Sequence, residues 1–217
     1  MFFLILPLTI MAQTEIQSYS IIQKIGDAEI RFYPPVMMAK YTDIIQGSGF
    51  GKLFGYISGN NSNNTKIAMT TPVHMEKKKG ENSMAFVLPK KFTDENTPQP
   101  NDSSLMVFED KGGYFAAIKY SGYTNSLKEK EHTEILLKLL KDEKINLEGT
   151  PRILVYNSPY KFINRRKWLI LETENITLKL GENNFRISLL KNTTNLIVSK
   201  SSMANKTAPI QVKSFGQ

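Results

Sequence analysis

The spacing of apolar and polar positions changes several times along this chain, and each change marks an element. Phe50, Leu53, Phe54 and Ile57 recur at i, i+3, i+4 and i+7 and predict a short helix with one apolar face. Gly59, Asn60 and Asn61 supply its stop, since Gly and Asn take the left-handed conformation that ends helices. After a Ser/Asn loop, Ile67, Met69 and Thr71 alternate with Lys66, Ala68 and Thr70, which predicts a strand closed by Pro72. Upstream, Ser20–Lys24 and Ala28–Tyr33 flank Gly26-Asp27 as a hairpin. Pro34-Pro35 then bends the chain, and Val36–Tyr41 resumes an apolar strand.

The second half repeats this order. Met84–Pro89 reads as a buried strand, and Thr93–Ser104, rich in Pro, Asn and Asp, as a surface loop. Leu105–Phe108 and Tyr114–Tyr120 bracket Lys111-Gly112-Gly113 as a second hairpin. Leu127–Lys141 predicts the longest helix, with Leu127, Ile135, Leu136, Leu139 and Leu140 facing the core. Its wet face carries Lys128, Glu129, Lys130, Glu131, Glu134 and Lys138. Arg152–Tyr156 and Trp168–Leu171 are the closing strands. Two copies of strands around one helix predict an α+β domain with a pseudo-twofold repeat, its antiparallel strands curled into a barrel flanked by two helices.

Several separated motifs resemble the SOUL/haem-binding protein family: Glu29-Ile30-Arg31-Phe32-Tyr33-Pro34, the helix and Met69-Thr70-Thr71-Pro72-Val73 strand, Phe86–Pro89, Pro98-x-Pro100, Tyr120–Tyr123, Tyr156–Pro159 and Asn164-Arg165-Arg166. The resemblance runs over about residues 18–171 and implies a distorted eight-stranded β-barrel with two helices. One departure is local: Lys167 alone precedes Trp168, where the family has Asn-Glu-Val, so a shifted end of the last strand is expected. On this reading residues 18–172 form the SOUL-like domain, and 173–217 a C-terminal extension rich in Asn, Ser, Thr and Lys. The extension has alternating stretches that would add strands, and beyond Lys200 a composition that reads as disorder.

Composition narrows the chemistry. The 217 residues include no cysteine, which excludes disulfides, thiolate catalysis and zinc–thiolate or iron–sulfur sites. The formal charge is +8, half of it in the extension, without a long basic run interleaved with aromatics, so no nucleic-acid partner is expected. Residues 1–12, MFFLILPLTIMA, are too few to span a bilayer and suit the hydrophobic region of a signal peptide ending at Ala12. An exported protein, periplasmic or secreted, is the expectation, and a cytoplasmic one the alternative. Against a leader stand the missing basic n-region and Ile10 at the −3 position.

No enzyme signature stands out. There is no Gly-x-Ser-x-Gly elbow, and Gly47, Gly49, Gly51 and Gly55 match neither a phosphate loop nor a dinucleotide fingerprint. They mark a tight helix entry. The family resemblance instead implies non-enzymatic binding of haem or a related tetrapyrrole, as a carrier or buffer. Such a ligand needs a large apolar surface and cations for its propionates. Resemblance assigns Leu53, Phe54 and Ile57 to the pocket-lining helix, with Lys52 beside them and Lys161 at a propionate position. Periodicity alone reads the three apolar residues as core. Phe32 occupies the place of a histidine ligand assigned in one family branch, which leaves His74 and His132 as axial candidates, with Met69 and Tyr33 behind them. A weakly held, exchangeable haem is the corresponding expectation. The rival is an effector-sensing or protein-interaction module of similar fold; a buried carboxylate for a hydrophobic cation, with Glu29, Asp43 and Glu109 to inspect, would mark it.

Overall fold

The computed structural model describes residues 14–43, 49–78, 80–122, 125–156, 166–173, 175–180, 183–189, 196–201 and 210–211, with side chains to residue 173 except at 166. Strand β1 (Glu15–Ile16) precedes a hairpin of β2 (Ser20–Ile25) and β3 (Ala28–Tyr33), turned at Gly26 with φ +56° as the Gly-Asp pair predicts. Strand β4 (Val36–Asp43) comes after the two prolines, and α1 (Gly49–Ile57) after β4. The buried stripe of α1 is Leu53, Tyr56 and Ile57, whereas Phe50 and Phe54 are 36% and 50% exposed. At about 100° per residue, Phe50 and Phe54 lie on the flank of that stripe. Gly59, at φ +119°, ends the helix, and buried Asn61 organises the loop beyond it. The Asn61 amide donates to the Tyr56 and Thr65 carbonyls at 2.9 and 2.7 Å, and its Oδ1 accepts from the Thr65 amide at 3.0 Å.

The strand expected at 66–71 is reduced to β5 (Thr70–Thr71), and the long strand starts after Pro72 as β6 (Val73–Lys78). Pro72 has no amide to give a ladder, so it separates the two. Strands β7 (Glu81–Val87), β8 (Leu105–Asp110) and β9 (Gly113–Ser121) lead to α2 (Ser126–Lys141), then β10 (Leu147–Val155) and β11 (Arg166–Thr173). Nine of these strands form one antiparallel sheet in the order β2-β3-β9-β11-β10-β6-β7-β4-β8, with edges β2 and β8 not paired to each other. The α+β class and the two-helix repeat are as expected, and the barrel is a distorted, open one. From β3 to β8 the order reads the same from both ends when the halves β3-β4-α1-β6-β7 and β8-β9-α2-β10-β11 are exchanged.

That symmetry corrects the second hairpin. β8 pairs with β4 and β9 with β3 and β11, so Lys111-Gly112-Gly113 is a crossover between distant strands. At Gly112 (φ +66°) a Cβ would fall 2.1 Å from the Tyr33 carbonyl oxygen and 2.8 Å from the Pro34 carbonyl carbon. The two linkers therefore cross in backbone contact. The Gly112 amide donates to Asp110 Oδ1 at 2.9 Å, and Asp110 Oδ2 accepts from Arg152 at 3.1 Å, which fastens the crossing to β10.

Alternation along the strands gives the sheet two faces. One carries both helices: α1 over Met37, Ala39, Tyr41, Phe86 and Val73, and α2 over Ala28, Ile30, Ala116, Ile118 and Leu169. The opposite face holds Tyr33, Phe115, Ala117, Leu154 and Ile170, and a smaller group of Met38, Ala85 and Val87. Within α2, Leu136 and Leu140 are wholly buried and Leu139 packs beside them, but Leu127 is 74% and Ile135 40% exposed, contrary to expectation. Leu127 lies nine positions before Leu136, about half a revolution off the packing stripe. Asn125 caps the helix, accepting from the Lys128 amide at 2.8 Å. Beyond residue 173 the alternating stretches form a further antiparallel sheet of β12 (Asn175–Leu180), β13 (Asn183–Leu189), β14 (Leu196–Ser201) and β15 (Ile210–Gln211). The leader read at 1–12 and most of the stretch after Lys200 lie outside the described residues.

Gly112→Ala is expected to lose at least about 2 kcal/mol of unfolding free energy, from the strained φ and the clash together. Gly51→Ala, in helix α1 with open space around its added methyl, should gain roughly 0.5–1 kcal/mol. Urea titrations of both variants measure the opposite signs.

Candidate ligand-binding site

The outer surface of α1 is built from what the core leaves out. Leu53 and Ile57 are buried against the sheet and hold the helix rather than face solvent. Phe50 and Phe54 stack at 6.0 Å with 12° between planes, and Phe50 meets the edge of Phe86 at 5.4 Å. They form an aromatic surface of which a third to a half is open. Lys52, about half a revolution around the helix from both rings, lies on the opposite flank of α1. Its Nζ is 4.8 Å from the Tyr41 ring centroid, donates to Ser104 Oγ at 2.8 Å and lies 3.6 Å from Asp102. Ser104 donates to Asp102 through both hydroxyl and amide and holds that carboxyl below its usual range. An incoming carboxylate would therefore share Lys52 with an anion already in place. Behind the helix, Tyr56 donates to the Pro98 carbonyl at 2.7 Å, and burial pushes its hydroxyl up to about 12. Tyr56 and Asn61 thus fasten the Pro98–Pro100 loop to α1, a role the apolar pattern did not reveal.

The other predicted residues are not gathered here. His74, on β6, pairs across to Leu154 and Ala85 and so lies on the face away from both helices. It is buried, its Nε2 is 2.8 Å from Gln17 Oε1, and burial, then the charge of Arg152, lower its pKa to about 3. A neutral imidazole donating to an amide oxygen is a structural histidine. His132 is on α2, under the other half of the sheet, where its Nδ1 is 2.8 Å from the Lys128 carbonyl oxygen and Tyr120 packs at 5.0 Å. Met69 joins the α1 core and Tyr33 the opposite face. Lys161 lies outside the described residues.

Sequence reasoning missed the most unusual charge in the molecule. Arg31 has a side chain 0% exposed, sandwiched between the Trp168 ring at 3.5 Å and the Tyr19 ring at 4.1 Å. Its Nε donates to Glu29 Oε2 at 2.8 Å, with Nη2 2.7 Å from the same oxygen, and Nη1 donates to the Tyr33 hydroxyl at 3.2 Å. Burying a guanidinium is tolerable only with such pairing, and the two rings add cation–π attraction. Burial also pushes the hydroxyls of Tyr33 and Tyr156 upward, so both remain neutral beside it. Its sequence signals were its place in the Glu29-x-Arg31-x-Tyr33 motif and the charged pair at i and i+2 on a strand otherwise apolar.

A family model described as SOUL heme-binding protein matches residues 14–171, which takes in both helices and nearly all of the nine-stranded sheet. The chain belongs to the SOUL haem-binding protein family. Heme-binding protein 2 of Homo sapiens is 30% identical over 166 residues, covering 69% of this chain and 80% of that protein. Heme-binding protein 2 of Mus musculus is 28% identical over 167 residues, with the same coverage. Among solved structures, an uncharacterized conserved protein from Listeria innocua is similar at TM-score 0.53 and 11% identity, over 68% of this chain and 92% of that one. The EcmrR C-terminal domain is similar at TM-score 0.51 and 13% identity, over 72% and 98%. A hydrolase from Listeria innocua is similar at TM-score 0.51 and 10% identity, over 70% and 94%. These three show the fold.

Within the SOUL chain, then, the Glu29-x-Arg31-x-Tyr33 motif makes a closed cation cage, and α1 offers aromatic faces on one flank and a cation on the other. The Phe50–Phe54 surface fits a flat apolar ligand. It does not include either described histidine.

His74 and Arg31 each have a measurable consequence for stability. The folded pKa of His74 lies below its unfolded value near 6.5, so the unfolded chain binds the extra proton and stability falls as pH drops from about 6.5 towards 3. The slope should approach about 1.4 kcal/mol per pH unit, and urea unfolding at pH 7, 6 and 5 should show it flattened in His74→Gln. Arg31→Lys keeps the charge but loses the stacked plane and most hydrogen bonds, and should cost about 3 kcal/mol in the same assay.

Proposed function

We propose that this SOUL protein binds haem or a related tetrapyrrole reversibly on the outer face of α1, as a non-enzymatic carrier or buffer. The observation that carries the reading is the exposed, near-parallel Phe50–Phe54 pair. A macrocycle stacks on such rings, and a propionate reaching around the helix would meet the Lys52 ammonium on its other flank. Leu53 and Ile57 support the helix from beneath, and Lys161, assigned by resemblance, is the second propionate partner. Without an axial histidine on this face, stacking and charge hold the ligand, which suits exchange.

The rival, a module for hydrophobic cations, finds little support in the carboxylates. Glu29 is neutralised by Arg31, Asp43 accepts from the Tyr41 hydroxyl at 3.2 Å, and Glu109 is exposed. An acidic ligand is better matched by Lys52, the one charged residue of α1.

Protoporphyrin IX, titrated into the full chain and followed by its fluorescence, should bind saturably with one equivalent. Phe54→Asp should weaken binding roughly ten- to a hundredfold, as expected for losing one buried aromatic contact. Lys52→Ala, Lys161→Ala and the dimethyl ester of the porphyrin should each weaken it less. Non-saturating association that is the same in all variants would overturn the reading.

A further inference from the structure

We infer that the groove between the N-terminal half of α2 and strands β6 and β10 binds a small aromatic zwitterion, an aromatic α-amino acid being its simplest form. The inference is independent of the α1 reading and concerns the other helix. The groove encloses about 450 Å³, within the range of small-molecule sites. Its floor is Met75, Pro151 and Ile153, and its helical wall carries Glu129 and Thr133. Met75 and Ile153 pair across β6 and β10 and both pack with the core under α2, so this floor belongs to the face that carries the helices.

The internal repeat supplies the ring. Ala39 pairs with Phe86 as Ile118 pairs with Leu169, so Tyr41 and Tyr120, two residues further on, are matching positions. Likewise Val73 pairs with Phe86 as Ile153 pairs with Leu169. A Cβ at Gly49 would fall 2.9 Å from the Tyr41 ring, and His132 packs on Tyr120 at 5.0 Å. Gly49 therefore matches His132. The same offset matches Leu53 with Leu136 and Ile57 with Leu140, all four buried, and Phe50 with Thr133. In the first copy Phe50 closes the helix onto the sheet, its ring 5.4 Å from Phe86. In the second copy a threonine stands there, and the groove opens beside it. A ligand ring in that place would lie on Ile153 and meet the Met75 thioether, a favourable sulfur–aromatic contact.

The rim supplies the charges. Lys77 Nζ donates to both oxygens of Glu129, at 3.1 and 3.4 Å, so a cation of the sheet and an anion of the helix meet at the groove. An ammonium has three N–H groups and a carboxylate several acceptor positions, so each can take a second partner. A ligand carboxylate on Lys77 and a ligand ammonium on Glu129 extend the pair to four alternating charges. Lys130 and Glu134 line the same groove and face each other at 3.9 Å, so the charges of the lining cancel. That balance suits a zwitterion better than a dianion or an organic cation.

L-phenylalanine titrated calorimetrically into the full chain should bind saturably with one equivalent. L-alanine, which lacks the ring, should give no saturable heat. N-acetyl-L-phenylalanine and L-phenylalanine methyl ester each lose one charge, and each should bind roughly tenfold more weakly. Glu129→Gln and Lys77→Met should weaken L-phenylalanine to a similar extent. Thr133→Phe gives α2 the ring that α1 already has, and should abolish binding in a chain that thermal melts show to be folded. If folded Thr133→Phe binds L-phenylalanine as the parent does, or L-alanine binds as well as L-phenylalanine, the inference is overturned. Absence of saturable binding to the parent overturns it too, whatever porphyrins do at α1.

Discussion

Gly112 lies in backbone contact with Tyr33 and Pro34, and the topology turns on that crossing. Two linkers pass each other there, one stiffened by consecutive prolines and the other reduced to a bare backbone. Because they cross, each half of the repeat sends its first strand to the far half: β3 joins β9, and β8 joins β4. Neither half is a complete sheet by itself. The helices inherit the arrangement, since α1 and α2 each pack on strands whose neighbours come from both halves. Closing the crossing with a methyl group would therefore disturb the register of two distant strand pairs together.

The features legible in the residues were those that depend on local pattern. The β2–β3 hairpin, the α1 stripe through Leu53 and Ile57, and the place of α2 come from turn chemistry and period alone. Lys111-Gly112-Gly113 has the composition of a hairpin turn, but its glycines are needed for close approach to a linker some eighty residues upstream, which no local window contains. Leu127 looked like core because it is a leucine on an amphipathic helix; helical phase puts it on the far side. Arg31 was harder. A charged residue on an alternating strand reads as solvent-facing, and only the arrival of Tyr19 and Trp168 from elsewhere in the chain turns that position into a cage.

The same logic separates the histidines. His74 sits between Val73 and Met75 and His132 between Glu131 and Thr133, and neither carries a motif. Strand alternation sends His74 to the face without helices, where Gln17 satisfies it, whereas helical phase leaves His132 between the wall of α2 and the hairpin turn. Faces of a sheet are set by pairing partners. Pairing is the part of this fold that the crossing decides.

Arg31 reaches its aromatic cage through its own backbone, so the cation's local concentration is set by covalent connection and does not dilute. A cavity filled in that way has the same occupancy whatever circulates around the protein. It contributes rigidity and transmits no information about its surroundings. Responsiveness to a ligand is thereby left to the helical face and the ends of the sheet, where side chains remain uncommitted.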